Sequence, residues 1–154
     1  MTLEDSTVLV VNRTRGTLVG VEVTRADSFV TRMWGLYGRR IILGDGVWLV
    51  PCNSIHTIGM KYEIDVIFLD RAGRVLRIFE RLRPGRLTWW VRRAYSTLEL
   101  SAGAVQSSET RAGDELEFTA TSNIFPSAET LGAGASSQRQ AAGSGSVRGE
   151  DGGP

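Results

Sequence analysis

The segment that most narrows what this chain can become is Tyr62–Leu69, YEIDVIFL. It is a short apolar run rich in β-branched and aromatic residues, and it ends abruptly in Asp70-Arg71-Ala72-Gly73, a turn with Gly placed for a positive φ. Val75–Leu82 then returns as its partner strand. The same punctuation recurs along the chain. Val8–Val11 is apolar, Asn12–Gly16 is a polar turn, and Thr17–Thr24 completes a hairpin. Val47–Val50, Tyr95–Leu100 and Glu115–Thr119 supply further strands, with turns at Gly59, Pro84-Gly85 and Gly113-Asp114. Phe29, Val30, Met33, Trp34 and Leu36 recur at helical spacing after a cap at Asp27 or Ser28, and Ala102–Ser107 can form one or two helical turns. Seven short strands with so few helices predict a β-sandwich or barrel, because a doubly wound parallel sheet needs helices on both faces.

Composition places a boundary near Thr121. Residues 122–154 hold 7 Gly, 6 Ser and 5 Ala among 33 positions, too little apolar surface to offset the cost of ordering the backbone. The expectation is one β-rich domain over 1–121 and a disordered Gly/Ser/Ala-rich tail over 122–154. The whole chain carries 18 Lys+Arg against 17 Asp+Glu, so net charge selects no partner. No apolar run approaches the roughly 20 residues of a membrane span. The start, MTLEDSTVLVVN, is acidic with a four-residue apolar stretch, unlike a secretory leader. The protein is therefore expected in the cytoplasm.

Candidate chemistry is sparse. Cys52 and His56 are single residues of their kinds, which excludes an internal disulfide and a multi-cysteine zinc site. On an extended chain, positions four apart stand about 13 Å apart, too far to share one metal ion. Neither a metal nor a cofactor is expected. Asp65 shares its strand face with Ile67 and Leu69, so its carboxylate needs partners. His56, across the Thr57–Lys61 turn, is the expected one, with Arg39 next. Such a pair could act as an acid–base couple or as a structural bracket for the hairpin, and the bracket is the preferred reading. Ser54 could complete a Ser–His–Asp set, but no nucleophile elbow supports it.

Trp89 and Trp90 lie in a predicted loop beside Arg86, Arg92 and Arg93. Neighbouring side chains on an extended chain point opposite ways, so one ring is expected inside and the other exposed. Residues 71–93 contain eight Arg and one acid, Glu80. With the tryptophans this resembles the cation-plus-aromatic make-up of single-strand nucleic-acid sites. Yet 17 of the 18 basic residues are Arg, so the strip reflects the chain's general habit, and nucleic acid is not the preferred partner.

Several spaced signatures point one way. They are Arg32-Met33-Trp34-Gly35-Leu36-Tyr37-Gly38-Arg39, the run Ser54-Ile55-His56-Thr57-Ile58-Gly59-Met60, Ile64–Asp70 with Gly73, then Leu98-Glu99-Leu100, Ala102-Gly103 and Gly113-Asp114. In this order, over residues 8–119, the chain resembles the bacterial and archaeal family called domain of unknown function 192, or uncharacterised protein family 0127. The resemblance implies a jelly-roll-like sandwich and brings no established activity. The combined expectation is a mainly β fold: a compact jelly-roll-like β-sandwich or barrel of about seven short strands with one or two short helices. Its expected role is a non-catalytic binding or accessory module for a small molecule or protein partner. The alternatives are an enzyme using His56 and Asp65, and a nucleic-acid binder using the 71–93 strip. Candidate ligand-binding residues are His56, Thr57, Asp65, Trp89 and Trp90; Arg39, Cys52, Gly59, Asp70, Gly113 and Asp114 are assigned structural roles. Deleting residues 122–154 should leave the melting temperature within a few degrees of the full chain, measured by thermal denaturation.

Overall fold

Six consecutive buried residues, Ile64–Leu69, form the strand around which the computed structural model is built. The structure describes residues 7–26 and 44–124, all within one unit of the chain. The predicted helix over 28–38, together with Arg39, lies outside the described residues. So does nearly all of the predicted tail, while Thr121–Ile124 at its boundary form a single helical turn.

Among the described residues seven strands follow in order: β1 Thr7–Asn12, β2 Thr17–Ala26, β3 Asp45–Leu49, β4 Ile64–Leu69, β5 Val75–Leu82, β6 Ser96–Ser101 and β7 Leu116–Ala120. They form one sheet ordered β5-β4-β6-β3-β2-β1-β7. The β2–β3 pair is parallel and the other pairs are antiparallel. Hairpin turns cannot link parallel neighbours, so β2 and β3, though consecutive, are not the two arms of a hairpin.

The sheet curls into a half-barrel whose two edge strands meet at one end. Arg74 bridges Glu115, the Val75 N–H donates to the Asp114 carbonyl at 2.8 Å, and the Leu116 N–H donates to that of Gly73 at 2.9 Å. Gly73 is required there twice over. Its φ is +83°, and a Cβ would stand 2.5 Å from the Leu116 carbonyl oxygen. Inside the curl, Ile67 and Leu69 pack with Val10, Val23, Leu98 and Leu100. On the outer face Ile64, Val66 and Phe68 pack with Val47, Leu49 and Ile55. Both faces of β4 are therefore core, and Asp65 shares the inner one with Ile67 and Leu69, as strand alternation predicts. Asp65 sits inside a strand buried on both sides.

Its partners differ from the expected ones. Asp65 Oδ1 accepts the Arg81 N–H at 2.9 Å, and Oδ2 accepts the N–H groups of Gly103 at 3.0 Å and Val105 at 2.9 Å. The register of β5 against β4 slips between Ile64 and Val66, and Arg81 takes a left-handed φ of 49°. That bulge frees an N–H from the ladder, and the carboxylate receives it. The other two donors belong to the start of the helix Ala104–Ser108, whose own N-cap residue, Gly103, has no side chain to offer. His56 is exposed and is not among the partners of Asp65, so the predicted pair does not form.

A second carboxylate ties the hairpin end. Buried Asp114 accepts the Arg15 Nε–H at 2.6 Å, the Asn12 Nδ2–H at 2.9 Å and the Arg111 N–H at 2.8 Å. Burial alone would raise its pKa, but these hydrogen bonds outweigh it and hold the group down to about 2. At the other strand ends, Gly59 (φ +87°) and Gly113 (φ +95°) take turn conformations. Asp70 Oδ1 accepts the N–H groups of Ala72 and Arg74, closing the β4–β5 turn.

Asp65→Asn should cost about 3 kcal/mol in chemical denaturation, because an amide nitrogen would face a backbone donor in place of one oxygen. His56→Ala should cost less than about 0.5 kcal/mol, and the double variant should be additive, as expected for residues that share no partner.

Candidate functional site

Two irregular segments lie over the outer face of the sheet, one between β3 and β4 and one between β5 and β6. Their sequences offer Thr at the positions that face inward, and these side chains join the segments. The Thr57 N–H donates to the Arg86 carbonyl at 2.8 Å, His56 bridges Leu87, and the N–H groups of Thr88 and Val91 donate at 2.9 Å to the carbonyls of Ile55 and Asn53. The Thr57 hydroxyl donates to the Arg83 carbonyl at 2.6 Å and accepts the Arg86 N–H at 2.9 Å. Thr88 does the same for Ile55, accepting its N–H at 2.9 Å. Thr57 is fully buried, so it fixes the loops and is not itself a contact surface.

What the ladder holds outward is apolar. Trp89 is 87% exposed, Trp90 83%, Leu87 67% and Ile58 63%. Both indoles therefore lie outside, which corrects the expectation of one ring in and one out. Here the backbone is irregular, and strict alternation does not apply. Arg86, Arg92 and Arg93 are exposed around them, with Arg93 in the left-handed region at φ 71°. Such a conformation is uncommon for a residue with a Cβ and clusters at functional loops. The rest of the arginine strip is largely engaged. Arg71 lies over Tyr95 at 4.8 Å, Arg77 over Phe79 at 4.8 Å, and Arg81 and Arg83 approach Glu63 at 3.9 and 3.7 Å.

The structure thus brings His56, Thr57, Trp89 and Trp90 together and leaves Asp65 out, on the inner face of β4. Half-buried Cys52 points its thiol at the Ser54 carbonyl, 3.2 Å away, while its own carbonyl accepts the Thr97 hydroxyl. Among the described residues no group of three His, Cys, Asp or Glu side chains could hold a metal ion. No described helix is long and apolar enough to cross a membrane. A separate cavity of about 460 Å³ opens between the β4–β5 turn and β7, lined in part by Arg25, Trp48, Arg71, Tyr95, Glu117 and Phe118.

Sequence reading missed one residue. Glu99 lies on β6 near the middle of the sheet, opposite Val66 on one side and Val47 on the other. It is 8% exposed and faces the outer core. Burial pushes its pKa up to about 7. Tyr62 is raised as well, first by its own burial and then by the Glu99 charge. The available signal was a Glu between two leucines, Leu98 and Leu100, in a strand too apolar to have a water-facing side.

The Glu99 proton links stability to pH. The folded state keeps it between the ordinary value of 4.5 and about 7, whereas the unfolded chain loses it. Stability therefore falls as pH rises through that window, at up to about 1.4 kcal/mol per pH unit, or about 3 kcal/mol in all. Glu99→Gln should melt at the same temperature as the parent near pH 4.5 and several degrees higher at pH 8, measured by calorimetry.

Residues 10–118 match the family described as Uncharacterized ACR, COG1430, or DUF192. A UPF0127 protein of Thermococcus kodakarensis is 30% identical over 118 residues, covering 73% of this chain and 74% of the relative. A UPF0127 protein of Pyrococcus furiosus is 32% identical over 114 residues, covering 70% and 95%. The crystal structure of a protein of unknown function from Novosphingobium aromaticivorans has a similar fold. Its TM-score is 0.62 at 18% identity, over 72% of this chain and 83% of that one.

Proposed function

This chain belongs to DUF192, whose archaeal relatives carry the UPF0127 name, and on that footing we propose that it is a non-catalytic binding module for a protein partner. The recognition surface is the rim formed by Ile58, Leu87, Trp89 and Trp90. The observation that carries this reading is the pair of outward indoles on a backbone held by the buried hydroxyls of Thr57 and Thr88. Apolar rings held in water without an internal role are costly unless something covers them. Trp and Arg are also the residues that dominate protein–protein binding energy.

Charge selects the partner's chemistry. Arg86, Arg92 and Arg93 flank the rings, and residues 81–93 contain no acid. The surface suits a protein segment that combines carboxylates with apolar side chains. The acid–base alternative has less support, since both Asp65 oxygens already accept backbone N–H groups. The nucleic-acid alternative is weakened by the ring and carboxylate contacts of Arg71, Arg77, Arg81 and Arg83.

Replacing both Trp89 and Trp90 with Ala should change unfolding free energy by less than about 1 kcal/mol, against the roughly 3–5 kcal/mol lost with a buried Trp. Selection of random peptides displayed on phage should enrich sequences pairing Asp or Glu with aliphatic or aromatic residues. Those peptides should bind the parent and not the double variant. Enrichment that survives the double substitution, or no enrichment on the parent, would refute the assignment.

A further inference from the structure

The cavity between the β4–β5 turn and β7 is walled by arginines resting on aromatic rings. Trp48 on β3 stacks on Phe118 of β7, with ring centroids 4.0 Å apart, and Arg25 of β2 lies over the same indole at 5.1 Å. Tyr95, just before β6, carries Arg71 of the β4–β5 turn over its ring at 4.8 Å. Buried Val50, Ser96 and Leu116 complete the lining of a space of about 460 Å³. That volume falls within the range of small-molecule sites, whose walls are largely apolar with a few placed polar groups.

Arg71 is the group that these surroundings leave uncommitted. Among the described residues the ion pairs all involve other cations: Arg13 meets Glu117 at 3.4 Å, Arg15 meets Asp114, and Arg81 and Arg83 meet Glu63. Its sequence neighbour Asp70 turns Oδ1 back to accept the N–H groups of Ala72 and Arg74. A guanidinium over a ring engages its face there and keeps its N–H fork for an oxyanion. The ring contact that withdraws Arg71 from the arginine strip thus holds it at this cavity. It also restricts a long side chain in advance, so less freedom is lost when an anion binds. In the same wall Trp48 Nε1–H is buried without a hydrogen-bond partner, a second donor that the protein leaves unanswered.

Charge narrows the ligand. The lining sets Arg13, Arg25 and Arg71 against Asp70, Glu115 and Glu117. A doubly charged phosphate is repelled more strongly by those acids than a single carboxylate, which one guanidinium can hold through two parallel hydrogen bonds. One charge on an apolar body also suits walls made of Trp48, Phe118, Val50 and Leu116. We propose that this cavity binds a small aromatic monocarboxylate. The Arg71 fork holds the carboxylate, Arg25 adds positive charge beside the indole, and the ligand's ring packs against the apolar wall. The site is separate from the tryptophan rim, and neither proposal depends on the other.

The test uses the full chain and sodium benzoate, with benzyl alcohol as the uncharged counterpart and sodium phosphate at equal ionic strength as the competing anion. Backbone amide and indole N–H shifts are followed by NMR. Benzoate should give saturable shifts at Trp48 Nε1–H, at Ser96 and in the turn around Arg71. Binding should be about tenfold weaker, or more, for benzyl alcohol and in Arg71→Gln. Phosphate should not displace benzoate, and the double variant Trp89→Ala, Trp90→Ala should bind it as the parent does. Absence of saturable shifts in the parent would overturn the proposal, as would undiminished binding to a folded Arg71→Gln. Loss of binding in the double tryptophan variant would move the ligand to the rim, and displacement by phosphate would make the cavity a general anion site; either result refutes the assignment. Should Arg71→Gln fail to fold, the parent decides alone, since no preference for benzoate over benzyl alcohol would exclude a carboxylate site.

Discussion

A bulge in an edge strand and the start of a five-residue helix have little in common except that each leaves backbone N–H groups without acceptors. Asp65 gathers both needs into one carboxylate. Its Oδ1 serves the bulged Arg81, and its Oδ2 serves Gly103 and Val105. The bulge sets where β5 bends away from β4, and the helix closes one end of the inner core through Ala104 and Val105. Both geometries rest on an acid in a strand that is otherwise apolar on every side. Three donors directed at one carboxylate are enough to hold it there, where a single ion pair in the same surroundings would barely offset its own desolvation.

Much of this architecture was legible in the sequence because the turns are chemically explicit. Gly16, Gly73, Gly85 and Gly113 all take positive φ where the strand runs end, and the seven strands fall between such marks to within a residue or two. Two kinds of feature were not legible. The parallel pairing of β2 with β3 joins strands that no tight hairpin can connect, and no local periodicity encodes it. The partners of Asp65 depend on a bulge sixteen residues away in the chain, and backbone donors leave no trace in side-chain spacing. His56 was the natural candidate because side chains are what a sequence displays.

The tryptophan loop shows the same limit from another side. Alternation gives the right answer for β6, where Leu98 and Leu100 face inward and Thr97, Glu99 and Ser101 face outward. It fails at Trp89 and Trp90, because there the backbone follows hydrogen bonds from Thr88 and Val91 and not a regular ladder. Glu99 was passed over for a related reason. Read within one strand it looks like a polar residue turned to water, and only the loops covering the outer face reveal that no water-facing side exists.

β1 lies between β2, which follows it immediately, and β7, which pairs Val8 with Ala120 and Asn12 with Leu116. The first of the described strands thus waits for the last of them before both of its sides are matched. Until then its second row of N–H and C=O groups is open, next to side chains as apolar as Val8 and Val10. Contacts this distant in sequence slow folding, since a long loop must close before they contribute. A chain arrested on the ribosome before residue 116 would present that unfilled edge to its neighbours, so the emergence of β7, more than the order of the elements before it, governs when this domain becomes safe from aggregation.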